Sequence, residues 1–297
     1  MSDMEKVYWR FANERLRMYH RRLKGKESLT KDSILRDHRF TNAYRASDRV
    51  SQYLIREVQY GEEERKKELF FRTLLFKIFN KIETWQMIQG HFDEPITSHD
   101  LKHIRKLLVK HGGKGLYSAA YIQASPAGKG VSKAIAHIDL LTALMDLPLW
   151  KNVRDARSLE EVFLHMRSIR SFGDFLAYQY TIDLNYSTMI DFDENDFVVP
   201  GPGALDGISK IMPGTHPVKA IRHMTKRARD EMGDTLFGRQ LHLIDCQNLF
   251  CEISKYTRVS HPTIQGVSGR TTIKQNYTPH SEPLPRPFFP PKWNLEY

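Results

Sequence analysis

Apolar residues recur three and four positions apart along most of this chain, a spacing that predicts helices. Residues 5–23 hold few breakers and many good helix formers. A second helix is expected over 41–58, with Thr41 as its N-cap and Gly61 past its end. On it Arg45, Arg49, Gln52 and Arg56, spaced four, three and four, share one face, while Val50 and Leu54 lie on another. The run 68–87 (ELFFRTLLFKIFNKIETWQM) is apolar around most of its circumference, which predicts one buried central helix. An amphipathic helix over 98–111 stops at Gly112-Gly113. Another covers 132–145, ahead of Pro148. A basic helix follows Pro213-Gly214 over 216–231, and the last helix spans 243–259. The fold class is therefore all-α.

The stretch 158–184 carries the most local signal. Ser158 and Glu161 have the spacing of a capping box opening SLEEVFLHMRSI. A tight turn, Arg170-Ser171-Phe172-Gly173, leads into DFLAYQYTIDL, opened by Asp174. Helix, glycine turn, helix is a helix-hairpin-helix pattern, whose free backbone N–H groups suit a phosphate; an ordinary helical hairpin has the same spacing. Gly201 and Gly203 flank Pro202 before a further short helix. They would let a phosphate approach, or they mark a plain loop with a helix start. No linker separates two domains, so one helical domain is expected over 1–278. From Pro279 to Pro291 six prolines fall in thirteen residues. The tail 279–297 should therefore run extended, with Phe288, Phe289 and Trp293 packing it down.

Composition narrows the class. With 40% hydrophobic and 27% charged residues, the 297-residue chain can bury a proper core. No apolar run has the length of a membrane span, and the N-terminal residues lack the apolar region of a secretory signal. Two cysteines, Cys246 and Cys251, exclude a disulfide scaffold and four-cysteine metal sites and point to a reducing, cytoplasmic setting. Net charge is +10, with +6 in residues 1–60, +4 in 253–297 and a balance between them. Basic ends of that kind suit a polyanion, nucleic acid being the commonest, or serve solubility alone.

Several chemistries fail on spacing. Ala127-Gly128-Lys129-Gly130 lacks both the Ser/Thr after the lysine and the Gly six residues before it, where Gln123 stands, so no P-loop and no nucleoside triphosphate partner are expected. His99 and His103 have the spacing of a metal pair without a third ligand, so neither metal nor cofactor is expected. Asp245-Cys246-Gln247-Asn248, opening the last helix, is the sharpest candidate. Asp245 there is stabilised as a carboxylate and can steady positive charge on a deoxyribose or activate a water; it can equally be a cap. Gln247 and Asn248 suit a base edge, Glu252 adds a carboxylate, and Lys255, Tyr256 and Arg258 suit phosphates. Asn42, Tyr178, Gln179, Asn185 and Tyr186 suit an extruded base, or else form part of the core.

The strings RFTNAYRASDRVSQYLIR, FRTLLFKIFNKIETW, FLAYQYTIDLNYS, FVVPGPGALDGI and LIDCQNLFCEISKYTRVSHP together resemble one family. It is the alpha-glutamyl/putrescinyl thymine pyrophosphorylase-like family, which includes the helical domain of phage 5-hydroxymethyluracil DNA kinases. The resemblance runs from about Trp9 to Trp293. The family is similar to a remote branch of the helix-hairpin-helix DNA glycosylases, which flip a base out of DNA. That kinship implies a glycosylase-like helical bundle with its hairpin at Ser171-Phe172-Gly173. The superfamily's catalytic Asp is carried over to Asp245, with Asp206 and Asp196 as reserves. No lysine matches in the hairpin helix, which implies a monofunctional glycosylase that uses water. With no kinase segment in the sequence, the resemblance implies hydrolysis of the N-glycosidic bond of a hypermodified pyrimidine, in a setting of defence against phages. Asp245 and Asn248 would be catalytic. Asn42, Gln179, Tyr186 and Gln247 would hold the base, and Arg45, Arg49, Gly173, Gly201, Gly203, Lys255 and Arg258 the DNA. The alternatives are an enzyme that acts on the base substituent and a non-catalytic module for modified DNA.

Overall fold

A computed structural model describes residues 1–61, 65–121, 123–128, 130–278 and 283–297. Lys129 of the glycine loop and Pro279 at the expected start of the tail lie outside the described residues. Among the described residues the chain forms thirteen α-helices and no β-strand; the only pairings of that type are two isolated bridges. No described helix is long and apolar enough to cross a membrane.

The contacts divide the chain into two compact units. One joins both ends of the sequence, Met1–Asp48 and Phe197–Tyr297; the other is the continuous middle, Arg49–Asp196. The stretch 1–278 expected as one domain takes part in both units, whose boundaries lie at Asp48/Arg49 and Asp196/Phe197.

The terminal unit contains α1 (Asp3–Leu23), α2 (Ser33–Asp37), α11 (Pro202–Ile211), α12 (Pro217–Glu231) and α13 (Leu243–Ser260). Ser2 and Glu5 close a reciprocal capping box on α1, satisfying two N–H groups that the first turn leaves free. Pro202 and Pro217 open α11 and α12 at the first helical position, where no N–H bond is lost. At the centre is α13, with Leu243, Ile244, Leu249, Phe250 and Ile253 all buried. The tail packs down through Phe289, which is buried against Phe237 and Tyr297, and Trp293 stacks 3.5 Å beneath the Arg239 guanidinium.

The middle unit contains α3 (Arg49–Tyr53), α4 (Lys66–Phe79), α5 (Ile82–Gln89), α6 (Leu101–His111), α7 (Lys133–Asp146), α8 (Leu149–Arg154), α9 (Leu159–Arg167) and α10 (Asp174–Tyr186). Two expected helices are corrected here. The run 68–87 is two helices, because Asn80 takes a left-handed conformation (φ 48°) that ends α4. The helix expected over 41–58 does not start at Thr41. Residues 41–44 carry no helix, a single 3₁₀ turn covers Arg45–Ser47, and α3 then passes into a π-helical turn, Leu54–Gln59. The hairpin α9–α10 is present. Its left-handed residue is Ser171 (φ 73°), while Gly173 sits at φ −81° as the N-cap of α10.

Candidate functional site on α13

Charge separates the two units completely. The terminal unit holds 25 Lys/Arg against 15 Asp/Glu, a net +10, and the middle unit holds 20 against 20. On α12, Lys219, Arg222, Lys226 and Arg229 recur at three and four residues and are all exposed, while Ala220, Ile221, Met224 and Ala228 are buried behind them. Four cations thus line one outer face of the basic unit.

Next to α13 the segment 39–48 runs antiparallel to the helix. The Lys255 ammonium donates to the Arg39 carbonyl (3.3 Å), the Thr41 N–H to Glu252 (2.9 Å) and the Arg45 N–H to Asp245 (2.8 Å). Arg15 of α1 fastens the segment from the other side, donating to the carbonyls of Thr41 (2.9 Å) and Phe40 (3.1 Å) and to the Asn42 side chain (3.2 Å). Asn42 in turn donates its N–H to Asp48 (2.8 Å) and its amide to the Ser47 carbonyl (2.9 Å). Five of the residues singled out in the sequence, Asn42, Arg45, Asp245, Asn248 and Lys255, are therefore gathered on or beside one face of α13.

Their roles differ from the expected ones. Both oxygens of Asp245 accept backbone N–H groups, from Arg45 and from His242 (3.0 Å), so the carboxylate caps α13 and ties the segment to it. Arg45 is 1% exposed, which corrects its assignment to an exposed arginine stripe. Arg49 belongs to the middle unit, where it pairs with Glu83 at 3.3 Å. Gln247 is buried on another side of α13, donating to the Cys251 sulfur. Burial pushes both thiols up to about 12, so they are unreactive at neutral pH. Gln179 and Tyr186 are wholly buried in the core of the middle unit and show no surface to an extruded base.

Gly203 packs against Cys251, whose sulfur would lie 3.0 Å from an added Cβ, so its space is taken by protein rather than left for a phosphate. Gly201 is buried as the N-cap of α11. Gly173 has open space around its Cα. Arg258 donates to the Thr272 carbonyl at 3.1 Å. Asp196 is exposed in the middle unit, its N–H bonded to Asp193.

Asp206, the other reserve, joins α11 to α13. It accepts from the buried Ser254 hydroxyl and the Ser268 N–H (2.7 Å) and pairs with the buried Lys210 at 3.3 Å. Burial works against its charge, but these bonds outweigh it and hold the carboxyl down at about 2. The folded protein then keeps a carboxylate that the unfolded chain would protonate near 3.8. Its contribution, on the order of 2 kcal/mol, is complete above pH 4 and is lost as pH falls towards 2. Acid unfolding followed by circular dichroism should show the gap between wild type and Asp206→Asn closing across that window. A gap independent of pH would refute the linkage.

One residue escaped the sequence, and one it had named shows a feature it could not give. Asp48 carries the opposite perturbation: burial pushes its carboxyl up to about 7, with the charge of Glu252 adding to the effect against the Asn42 N–H, Arg15 and Arg45. A carboxyl poised near neutrality, beside a second one, is able to give and take a proton. Asn248 is 6% exposed, and its amide nitrogen has no hydrogen-bond partner among the described residues. It lies between Asp245 and Glu252 on the face that meets segment 39–48. A buried donor left open in this way is costly in a finished core and suits a ligand. No signal in the sequence separated Asp48 from its neighbour Arg49, since the pair read as mid-helix.

An all-helical chain with one strongly basic unit, holding a carboxylate and amide face, is of the class that handles nucleic acid. The comparisons with known proteins agree: the chain belongs to the family described as 5-hmdU DNA kinase, helical domain, whose model matches residues 2–266. The match does not itself extend to DNA glycosylases. No curated protein and no solved structure matches the chain.

Proposed function

We propose that this chain binds DNA through its terminal unit and receives a 5-hydroxymethylated pyrimidine at the α13 face formed by Asn248, Glu252, Asn42 and Asp48. The observation that carries the reading is the confinement of the whole net charge of +10 to the unit that holds this face. The family description, which names 5-hmdU, supports 5-hydroxymethyluracil as that base. Its hydroxyl both donates and accepts, and an amide beside a carboxyl that is part-protonated at neutral pH answers both needs. The cations of α12, with Lys255, would meet phosphates.

Fluorescence anisotropy tests this with matched oligonucleotides carrying thymine or 5-hydroxymethyluracil. Affinity should fall with salt, log K against log[salt] having a slope of about −0.9 per duplex phosphate neutralised. The triple variant K219A/K226A/R229A should lower that slope by up to about three. Asn248→Ala should remove the preference for the modified base and keep the slope. An affinity insensitive to salt would overturn the placement of DNA on this unit.

Hydrolysis of the glycosidic bond is the second reading, and the paired carboxyls favour it. With both Asp245 oxygens engaged by backbone donors, the acid–base work moves to Asp48 and Glu252. Release of a modified base by wild type, read by mass spectrometry and abolished in Asp48→Asn, would establish hydrolysis. Intact DNA from wild type would leave recognition of the substituted base as the activity.

A further inference from the structure

The outward face of α1 borders a cavity of about 750 Å³ within the terminal unit, apart from the segment that Arg15 holds. Arg10, Asn13, Glu14, Arg17 and Arg21 line it from α1, at spacings of three and four, while Arg15 leaves the helix on another side. Lys31 and Asp32 also line it, together with the buried Phe11, Leu35 and Tyr256.

The balance of charge inside the cavity decides what it accepts. Each of its three carboxylates is already engaged. Glu14 accepts from Arg21 at 2.9 Å. Asp32 accepts from the N–H groups of Ile34 and Leu35 and from the Tyr256 hydroxyl (2.7 Å), and Glu231 accepts from Arg227. The cations are not matched in the same way. Arg10 and Lys31 are exposed and make no hydrogen bond or ion pair among the described residues, and Arg17 has only a 3.9 Å approach to Glu14. Arg10 and Arg17 stand two turns apart, about 10 Å along the helix, close enough for their long side chains to converge on one group. Three open cations, on a cavity whose three carboxylates are each held by other donors, suit a phosphate group. The volume lies in the range of small-ligand pockets, large enough for a nucleotide.

We propose that this cavity binds the phosphate monoester of a nucleotide, held by Arg10, Arg17 and Lys31. The monoester carries close to two negative charges at neutral pH, where an internal phosphodiester carries one, so the site selects phosphorylated ends or free nucleotides over the continuous strand. The site borders the α13 face at Tyr256, one turn beyond Glu252, but its three cations are not residues of that face, and it does not depend on the reading given to that face.

Calorimetric titration of the full chain with thymidine 5′-monophosphate, thymidine and inorganic phosphate is the first arm. Anisotropy with one oligonucleotide bearing either a 5′-phosphate or a 5′-hydroxyl is the second. The test variant is R10A/R17A/K31A, and the control, K106A/K110A, removes exposed charge from the middle unit. Saturable binding of the nucleotide that weakens by about tenfold or more in the test variant alone supports the site and makes its ligand a free nucleotide. The same dependence seen only for the 5′-phosphorylated strand supports it and makes the ligand a strand end. Equal binding of 5′-phosphate and 5′-hydroxyl strands together with no binding of the nucleotide overturns it, as does a test variant that binds like wild type. Binding to closed circular DNA, measured on the same variants, reads the α13 proposal separately, because a circle has no end to offer.

Discussion

Lys77→Met should be among the most destabilising single changes in the middle unit, at about 3–5 kcal/mol. Lys77 of α4 and Asp183 of α10 form an ion pair at 2.8 Å with side chains only 4% and 1% exposed. The ammonium also lies 4.1 Å from the centre of the Tyr121 ring. Around the pair, Gln123 donates to the Lys77 carbonyl (3.2 Å) and Gln59 to the Asp183 carbonyl (2.7 Å), so both backbones are fixed by polar contacts as well. Replacing the lysine takes the 2.8 Å cation away from a carboxylate that is only 1% exposed, and the cost is that of weakening the compensation of a buried charge rather than of one bond. Thermal unfolding should fall by roughly 10 °C. The double variant K77M/D183L, with both charges gone, should recover most of the loss, since an apolar pair of similar volume fits a dry site. A single variant as stable as wild type would show that Asp183 has other means of neutralisation. A double variant as weak as the single one would show that packing, and not charge, governs the position.

The pattern of the sequence carried the helices well where one face is apolar and the ends are marked. α1, α7, α9, α10, α12 and α13 fall within two residues of their expected bounds, because each shows helical spacing and few breakers; at α9 the Ser158 hydroxyl also accepts from the Glu161 N–H, the local signal the sequence showed. The pattern failed where a helix is apolar all round. Nothing in ELFFRTLLFKIFNKIETWQM distinguishes one buried helix from two, since the break depends on Asn80 taking a left-handed turn. It failed again at 41–48, where Arg45 has good helical spacing but the Asp245 carboxylate, two hundred residues away in sequence, captures its N–H. Long-range bonds of that kind override local propensity and leave no trace in a window of ten residues.

The candidate site was half legible for the same reason. Residue types that suit DNA and a base were visible, and those on α13 lie on one face because helical spacing is local. Which of them are spent on holding the fold was not visible. Asp245 is the favoured catalytic carboxylate as a letter, with Asp206 in reserve; in space each has both oxygens bonded, while Asp48, hidden beside an arginine, keeps a carboxyl near neutrality. The basic ends of the chain were legible as a charge excess. Their meaning became clear only once both ends proved to build one unit and the balanced middle another.

Gly207→Val should be comparably severe in the terminal unit, for a reason of space rather than charge. α11 crosses α13 so closely that a Cβ on Gly207 would lie 2.0 Å from the Phe250 carbonyl oxygen and 2.7 Å from its carbon. One turn earlier, Gly203 meets Cys251, so two glycines four apart form the groove in which α13 rests. A flexible side chain could move aside, but here the obstruction is the backbone of a buried helix. α11 must therefore shift as a whole, and the Asp206–Ser254 and Lys210–Ser254 bonds that join the two helices shift with it. Overpacking costs about 1–3 kcal/mol where neighbours can adjust, and this site belongs at or above the upper end. Calorimetry should show unfolding lowered by roughly 10 °C. Gly173→Ala serves as the comparison, since its Cβ meets nothing within 4 Å, and it should stay within about 1 kcal/mol of wild type. Because α13 carries Asn248 and Glu252, a displaced α11 should also blunt the preference for the modified base before it weakens attraction to DNA in general. Gly207→Val with unchanged unfolding temperature would mean that the two helices do not pack this closely, and the geometry assigned to the α13 face would fall with them.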